Sequence, residues 1–292
     1  MLAALYFLLF IFLVLICGAV LAFPLSQLLQ TVTDMEFHKL VGRSTILCAL
    51  FFSFIYLKVN GISIKTGFGF AISRDEFIRQ MLQGILVGIS IIIVLIISLS
   101  VIGVYEVEND LDLSAGNLIK IFFIAIITGL LVGIVEESIF RGALFSALLK
   151  KTNVLTTVTL TSLVYAAVHF LKYREIADNV NITFLTGIEM IPAALFRFQD
   201  PAIIDSFITL FALGVLLSII RLRHGNIAAV AGIHAGIVMM IKLAGDFTDY
   251  AAGNAYPFLV NKYDHMLGIL AFVWLVIIIA CYSIAIKRAG PA

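Results

Sequence analysis

Apolar runs of about twenty residues recur along this chain, at roughly residues 2–22, 40–59, 82–104, 119–149, 153–171, 202–220, 226–243 and 265–286. Runs of that length span the roughly 30 Å hydrocarbon layer of a bilayer as helices. Lipid offers the backbone no hydrogen-bonding partner, so a spanning segment must satisfy its own N–H and C=O groups. The fold class expected is therefore all-α: a polytopic transmembrane helical bundle of about eight spanning helices, forming a single membrane-embedded domain over residues 1–292. Composition agrees, with 62% hydrophobic and 13% charged residues and a mean hydropathy of +1.13. A soluble chain could not cover its surface with so few polar side chains. The first run exceeds a signal-peptide h-region in length and has no Lys or Arg before it, so it reads as a retained membrane helix.

Charge distribution sets the expected orientation. The net charge of +1, without any basic run, leaves no nucleic-acid partner to expect. The segment "EVENDLDLSAGN" is acidic and lacks basic residues, whereas "RLRHGN" and the terminal "KRAGPA" are short and basic. Basic loops stay inside, which gives an N-in, C-in topology. Residues 172–200 are too polar to span and too apolar for a free loop, so an interfacial or re-entrant stretch is expected there. Cys17, Cys48 and Cys281 lie in apolar runs without CxxC spacing and read as small buried side chains.

The segment "GIVEESIFRGALF", residues 133–145, places Glu136, Glu137 and Arg141 inside an apolar run. Charges at membrane depth carry several kcal/mol of penalty and mark functional sites by default. Glu137 and Arg141 are four residues apart, share one helix face and can pair. Glu136 is turned by about 100° from Glu137 and needs a partner on another helix. His169 in "SLVYAAVHF" and His234 in "AVAGIHAGIVMM" sit in two further apolar runs among small residues that permit close helix approach. A carboxylate and two imidazoles from three helices can share one polar pocket. They suit hydrolysis by general-base activation of water, or equally a zinc site with an open position. Spacing leaves both open. His38, His224 and His265 fall at helix ends or loops and read as interfacial.

These elements also resemble a family. "EESIFRG" resembles the EExxxR motif of the CPBP family, the CAAX protease and bacteriocin-processing (Abi) proteins. "YAAVH" resembles its FxxxH motif with Tyr165 in place of Phe, and "FALGVLLSIIRLRHGNIAAVAGIHAG" resembles the approach to its third motif. The resemblance implies an intramembrane glutamic-type endopeptidase whose catalytic core is residues 120–241, with residues 1–119 as N-terminal accessory helices and 242–292 as a C-terminal helix. It implies that Glu136 activates water, that Glu137 and Arg141 form a supporting pair, and that His169 and His234 complete the site. No cofactor is expected; zinc held by Glu136, His169 and His234 is the alternative. The family pattern continues HxxxN or HxxxD, and this chain has Val238 at that position. Either His234 or a backbone N–H then serves the oxyanion, or activity is weakened or lost. The expected substrate is a membrane-associated peptide or protein, processed at its C-terminus or matured. The expected location is a bacterial inner (cytoplasmic) membrane, crossed several times. A non-catalytic scaffold or immunity protein of the same fold and a proton-coupled transporter are the alternatives.

Overall fold

The computed structural model of the protein describes residues 2–30, 32–108, 111–176, 181–251, 253–261 and 266–289. His265 and parts of the acidic loop and of the 172–200 segment lie outside the described residues. The chain is a helical bundle: α1 (Leu2–Leu29), α2 (Phe37–Val59), the short α3 (Ile64–Gly67), α4 (Arg74–Val101), α5 (Ala115–Glu137), α6 (Phe145–Leu149), α7 (Val154–Val168), α8 (Thr186–Leu195), α9 (Ile204–His224), α10 (Ala228–Phe247) and α11 (Ile269–Ala289). Strands β1 (Tyr105–Val107) and β2 (Thr248–Tyr250) form one antiparallel ladder that ties the C-terminal ends of α4 and α10 together.

Among the described residues, seven helices are long and apolar enough to cross a membrane, one fewer than the sequence suggests. The difference is α7. The 153–171 run becomes a helix of 15 residues, which rises only about 22 Å. Asn153 caps its start by accepting from the Thr156 N–H at 2.8 Å. Turns at Phe170 and Leu171 end it within the apolar run. The 172–200 stretch does not span. Within its described residues, α8 is a short helix laid against α1, with Gly187 pressed on the Ala19 backbone.

Glycine decides how closely the central helices approach. Three GxxxG patterns meet along α10. Gly84 and Gly88 of α4 face the Ala229 and Ile233 carbonyls. Gly232 and Gly236 of α10 face the Met81 and Ile85 carbonyls in return. Gly129 and Gly133 of α5 face the Ala235 and Ala231 carbonyls. A methyl group at any of these six positions would collide with backbone or with the Met239 side chain. Without a hydrophobic drive between helices in lipid, such close van der Waals contact is what holds them. The tight turn between α9 and α10 uses Gly225, with φ 68°, to end α9. Asn226, just before the start of α10, accepts from the Ala228 N–H.

The two ends of the bundle differ in charge. Lys150 donates to the Asn60 and Gly61 carbonyls, and Lys151 lies over the Tyr6 ring, so the first turns of α1 share an end with these lysines. Glu106, Glu108 and Asp112 sit at the opposite end beside the β1–β2 ladder. There the Ser114 N–H and hydroxyl hold the Asp112 carboxyl below its usual range. Of the cysteines, Cys48 is buried, Cys17 half-buried and Cys281 exposed. Cys281 is on an outward face of α11, so the expectation of burial fails for that residue.

Candidate active site

The candidate residues begin where α5 changes its winding. After Glu137, residues Ser138–Leu144 form a π-helix before α6 resumes the α form. The even 3.6-residue period expected over 119–149 is thus interrupted by a wide turn at the charged cluster. Such turns concentrate at functional sites. Arg221, buried on α9, donates from Nε to the Arg141 carbonyl at 3.0 Å, satisfying a backbone acceptor inside this segment.

Glu137 and Arg141 pair as expected, and both side chains are fully buried. Arg141 Nη1 donates to Glu137 Oε1 at 2.9 Å and Nη2 to the Gly214 carbonyl at 3.2 Å. Its guanidinium lies 4.2 Å from the Tyr165 ring centroid. The same Glu137 oxygen meets His234 Nδ1 at 2.8 Å. Glu137 is therefore more than half of an ion pair: it links Arg141 to an imidazole on α10 and fixes that ring's orientation. Close approach of α5 and α10 at Gly133 makes this contact reachable.

Glu136 points elsewhere, toward the gap between the histidines. Its Oε2 lies 3.9 Å from His169 Nε2 and 4.0 Å from His234 Nε2. Both gaps exceed a direct hydrogen bond. One water with legs of about 2.8 Å meeting at about 90° would bridge either of them. Glu136 Oε2 is buried and has no protein partner. His169 Nδ1 lies 2.7 Å from the Tyr165 carbonyl, which can only accept. Nδ1 therefore carries the proton, and in the neutral ring Nε2 is left as an acceptor facing Glu136. Tyr165 stands edge-on to both imidazoles, so the residue that replaces Phe in the motif packs the two histidines and the arginine together. Tetrahedral zinc ligands stand about 3.3 Å apart, closer than these groups. Among the described residues, no cluster of three or more metal-ligating side chains has the geometry of a metal site.

Glu136 and His169 open onto a cavity of ≈ 460 Å³ between α1, α2 and α7. Their side chains are 23% and 28% exposed, whereas His234, Glu137 and Arg141 are 4% or less. The first pair can meet a ligand, and the others support it from behind. The cavity walls are mostly apolar, from Phe10, Val14 and Ile46 to Phe140 and Val168. Burial raises the Tyr173 phenol at the rim above its ordinary range, and Thr45 partly opposes this.

All five charged or imidazole residues singled out from the sequence thus fall in one cluster. Val238 lies one turn along α10 from His234 and carries no hydrogen-bonding group. Sequence reasoning missed the Glu137–His234 bond, the buried Arg221 and the contribution of α1 and α2 to the cavity. The three GxxxG patterns were visible in the sequence and would have indicated that α4 and α5 both pack on α10.

Residues 117–240 match the family model described as type II CAAX prenyl endopeptidase Rce1-like, of the CPBP family. The motif resemblance therefore holds over this segment, which contains the whole cluster. That family is one of proteases, and the seven long apolar helices fit a multi-pass integral membrane protein. No curated protein and no solved structure matches the chain.

Proposed function

We propose that this protein is an intramembrane glutamic-type endopeptidase of the CAAX-protease kind, hydrolysing a peptide bond near the C-terminus of a membrane-associated peptide or protein. One observation carries the reading. The unpartnered Glu136 carboxylate and two imidazole Nε2 atoms, from three separate helices, aim at a single point at the end of an apolar cavity. Although its Oε2 and Arg141 Nε have no partner, Glu137 makes direct side-chain bonds, to Arg141 at 2.9 Å and to His234 at 2.8 Å. Glu136 does not.

In the proposed reaction a water lies between Glu136 and His169. Glu136 takes one of its protons as the oxygen attacks the scissile carbonyl. His169, fixed by the Tyr165 carbonyl, accepts the water's other hydrogen and aligns its lone pair. The negative charge then forms on the carbonyl oxygen. His234 is the side chain placed to receive it, because Nε2 becomes a donor once the ring carries a second proton. With that proton the cluster is neutral: Glu136 and Glu137 against Arg141 and His234. Low-dielectric surroundings favour such a balance. Collapse of the intermediate breaks the C–N bond, and Glu136 returns its proton to the leaving amine. The products are a new carboxylate and a new amine.

Purified protein in lipid nanodiscs, given an S-farnesylated CAAX peptide, tests this by mass spectrometry of the products. Glu136→Gln keeps the shape and removes the base, so cleavage is expected to vanish while the unfolding midpoint stays near wild type. Full cleavage by that variant would sink the assignment. A non-catalytic scaffold is the second reading, favoured by Val238; it requires that no peptide is cleaved at all.

A further inference from the structure

We propose that Arg43, on an accessory helix outside the family-matched segment, determines substrate preference by binding a carboxylate of the peptide in the cavity. This rests on the proteolytic reading of the site. The reactive groups and α2 both line the cavity. Along α2 the lining runs from Lys39 to Ala49, a rise of about 15 Å. Two cations line it, Lys39 and Arg43. Lys39 is engaged by Glu36 at 2.8 Å. Arg43 has no acidic partner among the described residues, and its Nη1 meets only the weak acceptor Met35 Sδ. The result is an apolar trough lined by both a carboxylate base and an uncommitted guanidinium. Its complement is an apolar peptide segment carrying a negative charge away from the scissile bond. A guanidinium binds a carboxylate through two parallel N–H···O bonds, which fixes the peptide's direction as well as its charge. Position 42 is glycine, and a Cβ there would meet nothing within 4 Å. The trough beside Arg43 is open enough to admit a chain.

The test uses the full chain in phosphatidylcholine nanodiscs with two probes, an S-farnesylated CAAX peptide bearing a free C-terminal carboxylate and the same peptide amidated. For wild type, the amide is expected to show a KM about tenfold higher, as loss of a charge-assisted hydrogen bond implies. Arg43→Gln is expected to raise KM for the acid by a similar factor, leave kcat within about twofold and leave the amide unchanged. The discrimination then disappears, and Arg43→Lys restores part of it. Equal effects on acid and amide would overturn the proposal. So would an effect that appears only in nanodiscs containing phosphatidylglycerol, since Arg43 would then serve a lipid phosphate. Gly42→Leu is expected to raise KM for both probes alike; no change would mean the peptide does not use this trough. Binding of both probes to the Glu136→Gln variant, read by fluorescence anisotropy, separates the two levels. Arg43-dependent preference for the acid without any cleavage by wild type defeats the proteolytic reading and keeps this one. Absence of that preference in binding defeats this one, whatever is cleaved.

Discussion

Replacing Gly133 with Ala tests whether helix spacing sets the chemistry. A Cβ at this position would lie 2.6 Å from the Ala231 carbonyl oxygen, where ordinary contact begins near 3.4 Å. The obstacle is backbone, so α5 and α10 must separate by about 0.8 Å, the difference of those two distances. Glu137 is four residues on along the same helix, and its bond to His234 is 2.8 Å long. The same separation stretches it to about 3.6 Å, beyond hydrogen-bond range. His234 then loses the group that orients it. Overpacking of this kind costs about 1–3 kcal/mol of stability, and a misplacement near 1 Å in a catalytic arrangement lowers rate by about 10²-fold. The control is Gly116→Ala on the same helix, where a Cβ meets nothing within 4 Å and no loss is expected. Initial rates on the farnesylated peptide and thermal unfolding in the same detergent are measured together. A Gly133→Ala protein with wild-type rate and midpoint would refute the claim that this contact fixes the site.

Three further outcomes are expected. Glu137→Ala leaves the fully buried Arg141 without its carboxylate and should lower stability by about 3–5 kcal/mol, whereas Arg141→Ala leaves Glu137 with His234 and should cost less; the double variant should lose less than the sum, which denaturation of all three proteins would show. Val238→Asn should keep the unfolding midpoint and cleave at or above the wild-type rate, gaining up to about 10²–10³-fold if the oxyanion otherwise lacks a donor; a lower rate at an unchanged midpoint would contradict the role given to His234. Purified protein should contain well under one zinc per chain and cleave equally with and without a strong chelator; stoichiometric zinc with chelator-sensitive cleavage would turn Glu136, His169 and His234 into metal ligands.

Local regularities of the chain foretold much of this. Apolar run length gives the spans, because the bilayer fixes how long a helix must be. The Glu137–Arg141 pair follows from helical spacing alone and survives the π turn. The meeting of Glu136, His169 and His234 follows from the penalty on polar groups in lipid. What escaped depends on relations between helices. His234 reaches Glu137 only because α5 and α10 approach through Gly133, and no periodicity along one helix encodes which ring nitrogen faces which carboxylate. Arg221 reads as a loop-flanking cation, yet the wide turn at Ser138–Leu144 presents it with a carbonyl. The 153–171 run looked long enough to span because apolarity continues past the point where α7 turns at Phe170.

The cavity is assembled from two origins. Ala19, Ala22, Phe37, Val41, Tyr173 and Ala194 pack into a hydrophobic cluster of their own, apart from the core that surrounds Tyr165 and His234's neighbours on α10. The helices α1, α2 and α8 supply this cluster, and α1 and α2 also send Phe7 and Tyr56 into the larger core. The α2 lining at Gly42, Arg43 and Ile46 belongs to neither cluster, so substitutions there leave the packing of both largely intact. A lineage can exchange the lining of its trough for a new peptide repertoire while inheriting an unaltered reaction centre. Divergence among relatives is then expected to concentrate on the α2 wall long before it reaches Glu136.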